Sequence, residues 1–312
     1  MLKTNCTLLI ACIVIFSSCS YERANRIAYA TPAANVPYLT QKGDAKITGY
    51  YSANSFGSAL GASKSSSIGS YNPGYGGIKN DGADVQGAYA ITNQWRILAG
   101  FSYKAIKQSY NYDTTKYYGG YSIFGPGRTQ TNIFDSSLIK YKSTFFQIGA
   151  GYSMLLNQRK HISFNLYGGI DIGRLTMHDA GFDSSASPYT RYYSVNTTKP
   201  WLQAAFNFGD ARTPVSVSLG GRLSLLHFGT PNTTYQPEEL SYFYLDKIPN
   251  QTYFLWEPYV NFQARIPGLN WLRFDGQLSF CSGFNEYYPK ASTIDGSIGV
   301  TVNLLSVLKK TK

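Results

Sequence analysis

Alternation of apolar and polar residues is the dominant pattern along this chain. It is clearest over 162–173, where apolar side chains hold one set of alternate positions and polar or small ones hold the other. Successive side chains of a β-strand point to opposite faces, so this period predicts a strand with one apolar face. We found no convincing helical period, and ten segments fit a strand: 44–53, 84–91, 95–105, 144–154, 162–173, 202–208, 215–225, 253–265, 272–280 and 294–304.

The connections between these segments are alternately short and long. The short ones are 92–94, 155–161, 209–214 and 266–271, and the long ones are 54–83, 106–143, 175–201, 228–252 and 281–293. An even strand count with short periplasmic turns and long extracellular loops is typical of outer-membrane barrels. The pattern therefore predicts an all-β, closed antiparallel transmembrane β-barrel of ten strands, with both termini periplasmic. The alternative is a soluble barrel or sandwich, which would bury its apolar face.

The first residues have the layout of an export signal. An apolar run over 6–16 follows Lys3, and it is shorter than the roughly 20 residues that a transmembrane helix needs. The sequence Phe16-Ser17-Ser18-Cys19 resembles a bacterial lipobox, which implies acylation of Cys19. We therefore expect a lipoprotein signal peptide over 1–18, a lipidated tether over 19–43 and a barrel over 44–308. The alternative is an ordinary secretory signal that is cleaved later, for instance after Ala30.

Composition adds a prediction about the interior of the barrel. The chain has 312 residues with 28 Lys+Arg and 17 Asp+Glu, and only 14% of its residues are charged. Eleven of the charged residues lie at polar positions of the predicted strands: Lys46, Asp84, Arg96, Lys104, Asp171, Arg222, Glu257, Arg265, Arg273, Asp275 and Asp295. A ten-stranded lumen is narrow, so these charges should pair into a salt-bridged plug. The alternative is a narrow channel for ions or small solutes, whose selectivity these charges would set.

The long connections are rich in Tyr, Ser, Gly and Asn. One of them carries five tyrosines, namely Tyr110, Tyr112, Tyr117, Tyr118 and Tyr121. Tyrosine provides contact area at a low entropic cost, so this loop is a candidate binding surface for an envelope protein or a glycan. The alternative is that these residues only face water and lipopolysaccharide. Basic residues are scattered along the chain and form no patch in the sequence, so a nucleic-acid partner is not expected.

Candidate chemistry is sparse. The third long connection contains His178, Asp179 and Asp183, which would suit a hydrolase at the barrel rim, and His227 lies near the end of a predicted strand. Omptin proteases share the ten-stranded architecture, but we found no match to them beyond the strand count. The chain has three His and four Cys, without zinc spacing, and it has no phosphate loop or nucleophile elbow. We therefore expect no metal and no cofactor, and the rim hydrolase stays an alternative.

Two segments carry a family resemblance. The first is Asn35-Val36-Pro37-Tyr38-Leu39-Thr40-Gln41-Lys42-Gly43-Asp44, which leads into the first strand, and the second is Ala83-Asp84-Val85-Gln86-Gly87-Ala88-Tyr89-Ala90-Ile91-Thr92-Asn93. Both resemble a group of lipidated outer-membrane barrels of Bacteroidota. The resemblance implies a Gram-negative outer membrane and an N-terminal lipid anchor, and it transfers no catalytic residues. Together these observations predict a non-enzymatic barrel with a structural or interaction role, for instance as an accessory subunit of an envelope complex.

Overall fold

The computed structural model describes residues 28–36, 38–39, 41–53, 74–111, 134–157, 162–183, 185–209, 213–283, 290–291 and 294–304. Within these ranges ten long strands form the barrel: β2 (Ala45–Ala53), β3 (Gly74–Ala90), β4 (Trp95–Asn111), β5 (Phe134–Leu155), β6 (Ile162–Asp183), β7 (Pro188–Phe208), β8 (Val215–Thr233), β9 (Thr252–Ile266), β10 (Leu269–Phe280) and β13 (Ile294–Asn303). Three two-residue strands accompany them, namely β1 (Ala28–Tyr29), β11 (Ser282–Gly283) and β12 (Lys290–Ala291).

The sheet closes on itself. Each long strand pairs antiparallel with its neighbour in sequence from β2 to β10, and β13 pairs with both β10 and β2. Closure leaves no long strand with an unpaired edge, which is what a strand-built membrane protein requires. The predicted fold class, a closed antiparallel barrel of ten strands, is confirmed.

Several strands are much longer than the sequence pattern predicted. β5 and β6 each have 22 residues, and β7 begins at Pro188 although the prediction began it at 202. The assignment of the whole of 175–201 to a loop is therefore wrong. Alternation in fact continues through this region with inverted polarity, because Leu175 and Met177 are buried inside while His178 is exposed outside.

An apolar band surrounds the outside of the barrel. Every long strand presents large apolar side chains there, and Phe146, Ile148 and Ile298 are 67%, 64% and 59% exposed. On β5 the band runs from Phe146 to Met154, and on β7 it runs over 200–208, which is nine residues in each case. Nine to eleven tilted residues cross the hydrocarbon layer of a membrane, and a soluble protein rarely exposes so continuous an apolar surface. The band therefore fits a membrane-spanning barrel.

The N-terminal residues run through the lumen. Tyr29 at one end of this segment pairs with β12, which lies in the long connection between β10 and β13. Leu39 at the other end meets Arg96, close to the short turn between β3 and β4. The chain then reverses at Gly43, where a φ of +85° suits glycine, and enters β2. The sequence predicted an extended linker here, whereas residues 29–36, 38 and 39, hereafter the plug segment, are buried inside the barrel.

A small helical cap covers the interior at the end with the long connections. It consists of α1 (Pro237–Tyr242) and a 3₁₀ helix (Leu245–Lys247), both in the connection between β8 and β9. Its buried apolar side chains Phe243, Leu245 and Ile248 pack into a cluster that the upper strands line from inside. The interior thus has an apolar zone beneath the cap and a polar zone towards the short turns.

Candidate functional site

The plugged lumen is where the predicted charged residues lie. Ten of the eleven are buried: Lys46, Asp84, Arg96, Lys104, Asp171, Arg222, Glu257, Arg273, Asp275 and Asp295. Arg265 differs, because it is half-buried near the short turn between β9 and β10, opposite Arg273 in the strand register. Alternation in sequence therefore located the inward positions well, although it could not show what occupies the space between them.

Direct ion pairs form at two places among the described lumen charges. In the first, the Lys104 ammonium lies 2.7 Å from Asp84 and donates to the Ser52 hydroxyl at 2.6 Å. Ser52 also contacts Asp84 at 3.2 Å, and Asp84 accepts a hydrogen bond from the backbone N–H of Ala33 in the plug segment. This pair therefore joins two neighbouring strands to the plug segment.

The second place centres on Lys199, which the sequence analysis missed. Its ammonium lies 3.0 Å from Asp171 and 3.4 Å from Glu257, and it donates to the Tyr29 hydroxyl at 2.7 Å. Lys199 stands two alternate positions before Gln203, so extending the predicted strand past Pro200 would have placed it inside. Proline removes a backbone donor and is uncommon within a strand, which is why the prediction stopped there.

Tyr29 links this cluster to the plug segment. Its hydroxyl donates to Glu257 at 2.9 Å while it accepts from Lys199. Burial raises the pKa of the Tyr29 phenol well above its usual value, and the negative charge of Glu257 raises it further. The phenol therefore stays neutral at any physiological pH and keeps its donor role.

Two of the remaining cations hold backbone carbonyls of the plug segment. Lys46 donates to the Val36 carbonyl at 2.6 Å, and Arg96 donates to the Leu39 carbonyl at 2.9 Å. Because a buried cation must find acceptors, each of these residues fixes a point of the segment against the wall. Much of what fills the lumen is therefore main chain that side chains of the strands hold in place.

Amide side chains complete this attachment. Gln86 donates to the Ala33 carbonyl, and Gln203 donates to the Asn35 carbonyl at 2.8 Å. Asn35 in turn donates to the Gly87 carbonyl at 3.0 Å. The segment is thus hydrogen-bonded to strands on different sides of the lumen.

Asp275 shows a different solution for a buried carboxylate. Its Oδ1 accepts hydrogen bonds from Tyr50 at 2.9 Å and Asn261 at 2.6 Å, and its Oδ2 accepts from Thr301 at 2.9 Å and from Gln263. Neutral donors stabilise an ionised carboxylate without a cation in contact. The expectation that the lumen charges pair with one another therefore describes only some of them.

Glycines on the inner face allow aromatic rings to pack flat against the wall. A Cβ at Gly151 would lie 2.3 Å from the Tyr167 ring, and one at Gly169 would lie 2.4 Å from the Trp201 ring. Trp201 also donates to Asp171 at 2.6 Å and lies under the Arg222 guanidinium, 4.9 Å from its carbon to the ring centroid. Small inward residues therefore serve a crowded interior, as the sequence pattern suggested.

The cap is fastened to β7 by a bidentate pair. Arg191 donates to both carboxylate oxygens of Glu239 at 2.7 Å. Glu239 also accepts from the backbone N–H of Gln236, which completes a capping box at the start of α1. One carboxylate thus starts the helix and attaches it to the barrel wall.

The rim residues proposed for hydrolysis do not come together. His178 is exposed on the outside of β6 and its ring stacks near Tyr192, with 5.0 Å between centroids. Asp179 is fully buried inside, where Tyr189 and Tyr235 donate to it at 3.0 and 2.6 Å. Adjacent strand residues face opposite sides, so these two cannot share a substrate.

The other members of that rim group are also apart from one another. Asp183 accepts from the backbone N–H groups of Ser185 and Ser187 at 2.8 and 2.9 Å, so it stabilises a turn. His227 on β8 lies 3.1 Å from the Thr252 hydroxyl. Over the described ranges, no group of three His, Cys, Asp or Glu residues is arranged to hold a metal ion.

Several predicted residues lie outside the described residues. These are Cys19 with the signal peptide 1–18, and the loop tyrosines Tyr112, Tyr117, Tyr118 and Tyr121. Tyr110 belongs to β4, where its backbone pairs with Ser137. Lipidation and loop binding therefore stay predictions.

The closed barrel, its apolar outer band and its filled polar interior define the fold of an outer-membrane β-barrel. Among the described residues there is no helix long and apolar enough to cross a membrane. No protein-family model matches the chain, and no curated protein sequence matches it.

Solved structures with a similar fold include two bacterial transport domains and a protease. The translocator domain of autotransporter NalP from Neisseria meningitidis has a TM-score of 0.45 and 12% identity, over 84% of this chain and 88% of that one. Outer membrane protease OmpT from Escherichia coli has a TM-score of 0.40 and 9% identity, over 84% of this chain and 94% of that one. The transport unit of autotransporter AIDA-I from Escherichia coli has a TM-score of 0.40 and 9% identity, over 86% of this chain and 93% of that one.

Proposed function

We propose that this chain is a non-enzymatic outer-membrane β-barrel that is closed by its own plug segment, and that it has a structural or interaction role. The single observation that carries the proposal is the plug segment itself, which is buried along the lumen and hydrogen-bonded to several strands. A lumen filled by main chain and aromatic rings offers no path for solute. The surfaces left for a partner are then the long connections and the cap.

Recording in planar bilayers tests whether the barrel is closed. We expect the purified full chain to give no conductance above that of a protein-free bilayer. Steady ion conductance by the full chain would overturn the plugged-barrel proposal and favour the narrow channel. Heat-modifiable migration on gels confirms beforehand that the sample is folded.

The interaction role is tested by affinity purification from native membranes. The tagged chain is extracted in mild detergent, and mass spectrometry identifies what accompanies it. We expect a stoichiometric envelope partner that is lost when Tyr117 and Tyr118 are changed to alanine, because these tyrosines belong to the candidate binding loop. The matched control is Tyr89→Ala, at an exposed tyrosine near the short turns. Retention of the partner by the loop variant would exclude this loop as its binding surface.

We propose further that Cys19 is acylated and that its lipid inserts at the outer end of the barrel. The lipobox-like sequence supports acylation. The position of Tyr29 beside β12 supports the outer end, because only eight residues lie between Cys19 and Ala28, so the two are at most about 32 Å apart when the chain is extended. This revises the expectation that the N-terminal side is periplasmic.

An epitope inserted after Ser20 tests this arrangement. Antibody should label the epitope on intact cells, and mass spectrometry should find a diacylated or triacylated N-terminal cysteine that is absent from Cys19→Ala. An antibody to a periplasmic protein, which should react only after permeabilisation, is the control. Labelling of the epitope only after permeabilisation would contradict the outer location.

A further inference from the structure

The outside of the barrel changes polarity abruptly where β4, β5 and β6 leave the apolar band. The register places Phe101, Phe146 and Ile172 side by side across these strands as the top row of the continuous apolar band. The Phe101 and Phe146 rings touch, with 5.0 Å between centroids. The next three outward rows carry cations, which makes this a sharp boundary.

The cations occupy neighbouring positions on that outer face. Arg174 lies in the first row above the boundary, Lys142 in the second, and Lys107, Lys140 and His178 in the third. All five side chains are exposed. We call the four permanent cations Lys107, Lys140, Lys142 and Arg174 the basic patch. These basic residues are scattered in the sequence, because the patch forms only through the cross-strand register.

The cations of this patch outnumber the acidic residues near them in the described part of the chain. Lys107 stands directly opposite Lys140, a like-charge arrangement that destabilises an antiparallel pair. None of the four cations forms an ion pair with a described residue. Asp81, which stands opposite Ala105 on the same face, accepts a hydrogen bond from the Tyr51 hydroxyl at 3.1 Å. The Nε of Arg174 donates to Ser194 at 2.6 Å, which holds the guanidinium against the wall.

The height of the patch matches the polar layer of a membrane. Successive outward rows are two residues apart, or about 7 Å along the strand and about 5 Å in height at the usual tilt. The headgroup region extends roughly 5–8 Å beyond the hydrocarbon on each side. Counted from the Phe146 row, Arg174 at about 5 Å therefore lies at headgroup level and Lys142 at about 10 Å lies at its outer edge. Lys107 and Lys140 start at about 15 Å, and their long side chains reach down towards this layer.

From this geometry we propose that the basic patch is a binding site for the phosphate groups of a phosphorylated glycolipid in the outer leaflet. The proposal rests on the proposed membrane orientation, in which the long connections face outwards. Guanidinium and ammonium groups form charge-assisted hydrogen bonds with phosphate oxygens. The apolar row below would contact the acyl chains of the same lipid, and the phosphate groups carried by its sugars would lie against the cationic rows above.

Native mass spectrometry of the purified full chain in mild detergent tests the site. The probe is bisphosphorylated lipid A, and its dephosphorylated form is the matched lipid control. The variant K107Q/K140Q removes two patch charges, and K42Q/K247Q removes two exposed charges elsewhere. We expect lipid A to bind K107Q/K140Q about thirtyfold more weakly than the wild type, and K42Q/K247Q to bind as the wild type does.

Two results would overturn the proposal. One is equal binding of lipid A to K107Q/K140Q and to the wild type, and the other is equal affinity for phosphorylated and dephosphorylated lipid. If K107Q/K140Q does not fold, as judged by heat-modifiable migration, K142Q/R174Q gives the same comparison in the two lower rows. Lipid binding in detergent does not depend on how the barrel is oriented in the membrane. Failure of the epitope labelling described above would therefore leave this proposal standing, and loss of lipid binding would leave the labelling result standing.

Discussion

Replacing Lys199 with methionine is the sharpest test of how the lumen is held together. The Lys199 side chain is fully buried, and its ammonium contacts the carboxylates of Asp171 and Glu257 and the hydroxyl of Tyr29. Methionine has a similar length and no charge. The substitution therefore removes the cation between two buried carboxylates with little change in volume.

The expected loss follows from what each carboxylate retains. Asp171 keeps hydrogen bonds from Trp201 at 2.6 Å and Gln147 at 3.2 Å. Glu257 keeps those from Ser224 at 2.8 Å and Tyr29 at 2.9 Å. Breaking a buried ion pair from one side typically costs 3–5 kcal/mol, and these remaining donors place the loss at the low end, about 3 kcal/mol.

Urea unfolding in detergent micelles, followed by far-ultraviolet circular dichroism, measures the free energy of unfolding. Lys247→Met is the matched control, because Lys247 is 53% exposed and pairs only with its neighbour Asp246 among the described residues. We expect the control to change stability by less than about 0.5 kcal/mol. The variant Lys199→Met/Asp171→Asn should recover part of the loss, because Asp171 is then neutral while Glu257 keeps the charge of Arg222 opposite it.

The reasoning would be refuted by a loss below about 1 kcal/mol in Lys199→Met. Such a result would mean that water or relaxation already screens the cluster. A Lys199→Met/Asp171→Asn variant much less stable than Lys199→Met would also count against it, because the unpaired charge of Asp171 would then not be a source of the loss.

Three further predictions concern the wall, the cap and the plug. Gly169→Ala should lower the free energy of unfolding in urea by about 2 kcal/mol, because its Cβ would lie 2.4 Å from the Ile148 carbonyl and from the Trp201 ring. Gly168→Ala on the outer face should leave that free energy nearly unchanged. Equal effects of the two substitutions would contradict close packing inside the barrel. Glu239→Gln should speed proteolysis of the cap while Glu238→Gln, at an exposed position, should not, and identical cleavage rates would exclude the bidentate pair as its fastening. Deletion of 28–39 should give conductance in planar bilayers from a heat-modifiable, folded barrel, and a folded but silent deletion would show that other residues close the lumen.

The sequence predicted the barrel because alternation is a local property. Each strand repeats one apolar and one polar face, so segments such as 162–173 are recognisable without knowledge of their neighbours. The same logic placed Asp84, Asp171 and Glu257 inside. Strand ends were less predictable. Above Ile172 the outward face of the barrel becomes polar, so the apolar residues of a strand there face inwards and no longer continue the apolar face below.

The position of the plug segment could not be predicted from the sequence, for a different reason. Residues 29–39 have no period, and an aperiodic stretch with two prolines resembles a linker. Its position depends on carbonyls that meet Lys46, Arg96 and Gln203, which come from three strands far apart in sequence. Sequence pattern describes side chains, whereas this segment is held largely through its main chain.

The inversion of polarity along β5 connects the fold to both proposals. Below the boundary Phe146 and Ile148 face outwards while Gln147 faces in, and above it Lys140 and Lys142 face outwards while Ile139 and Tyr141 face in. The outward residues of a strand must be apolar where they contact lipid and polar where they contact water. The change along β5 therefore marks the level at which the strand leaves the membrane. The upper barrel is thus built like a soluble protein, with an apolar core beneath its cap. A cationic row at the changeover is then placed where phosphate groups lie, and the apolar core above it packs around Tyr29 and Ala30 of the plug segment.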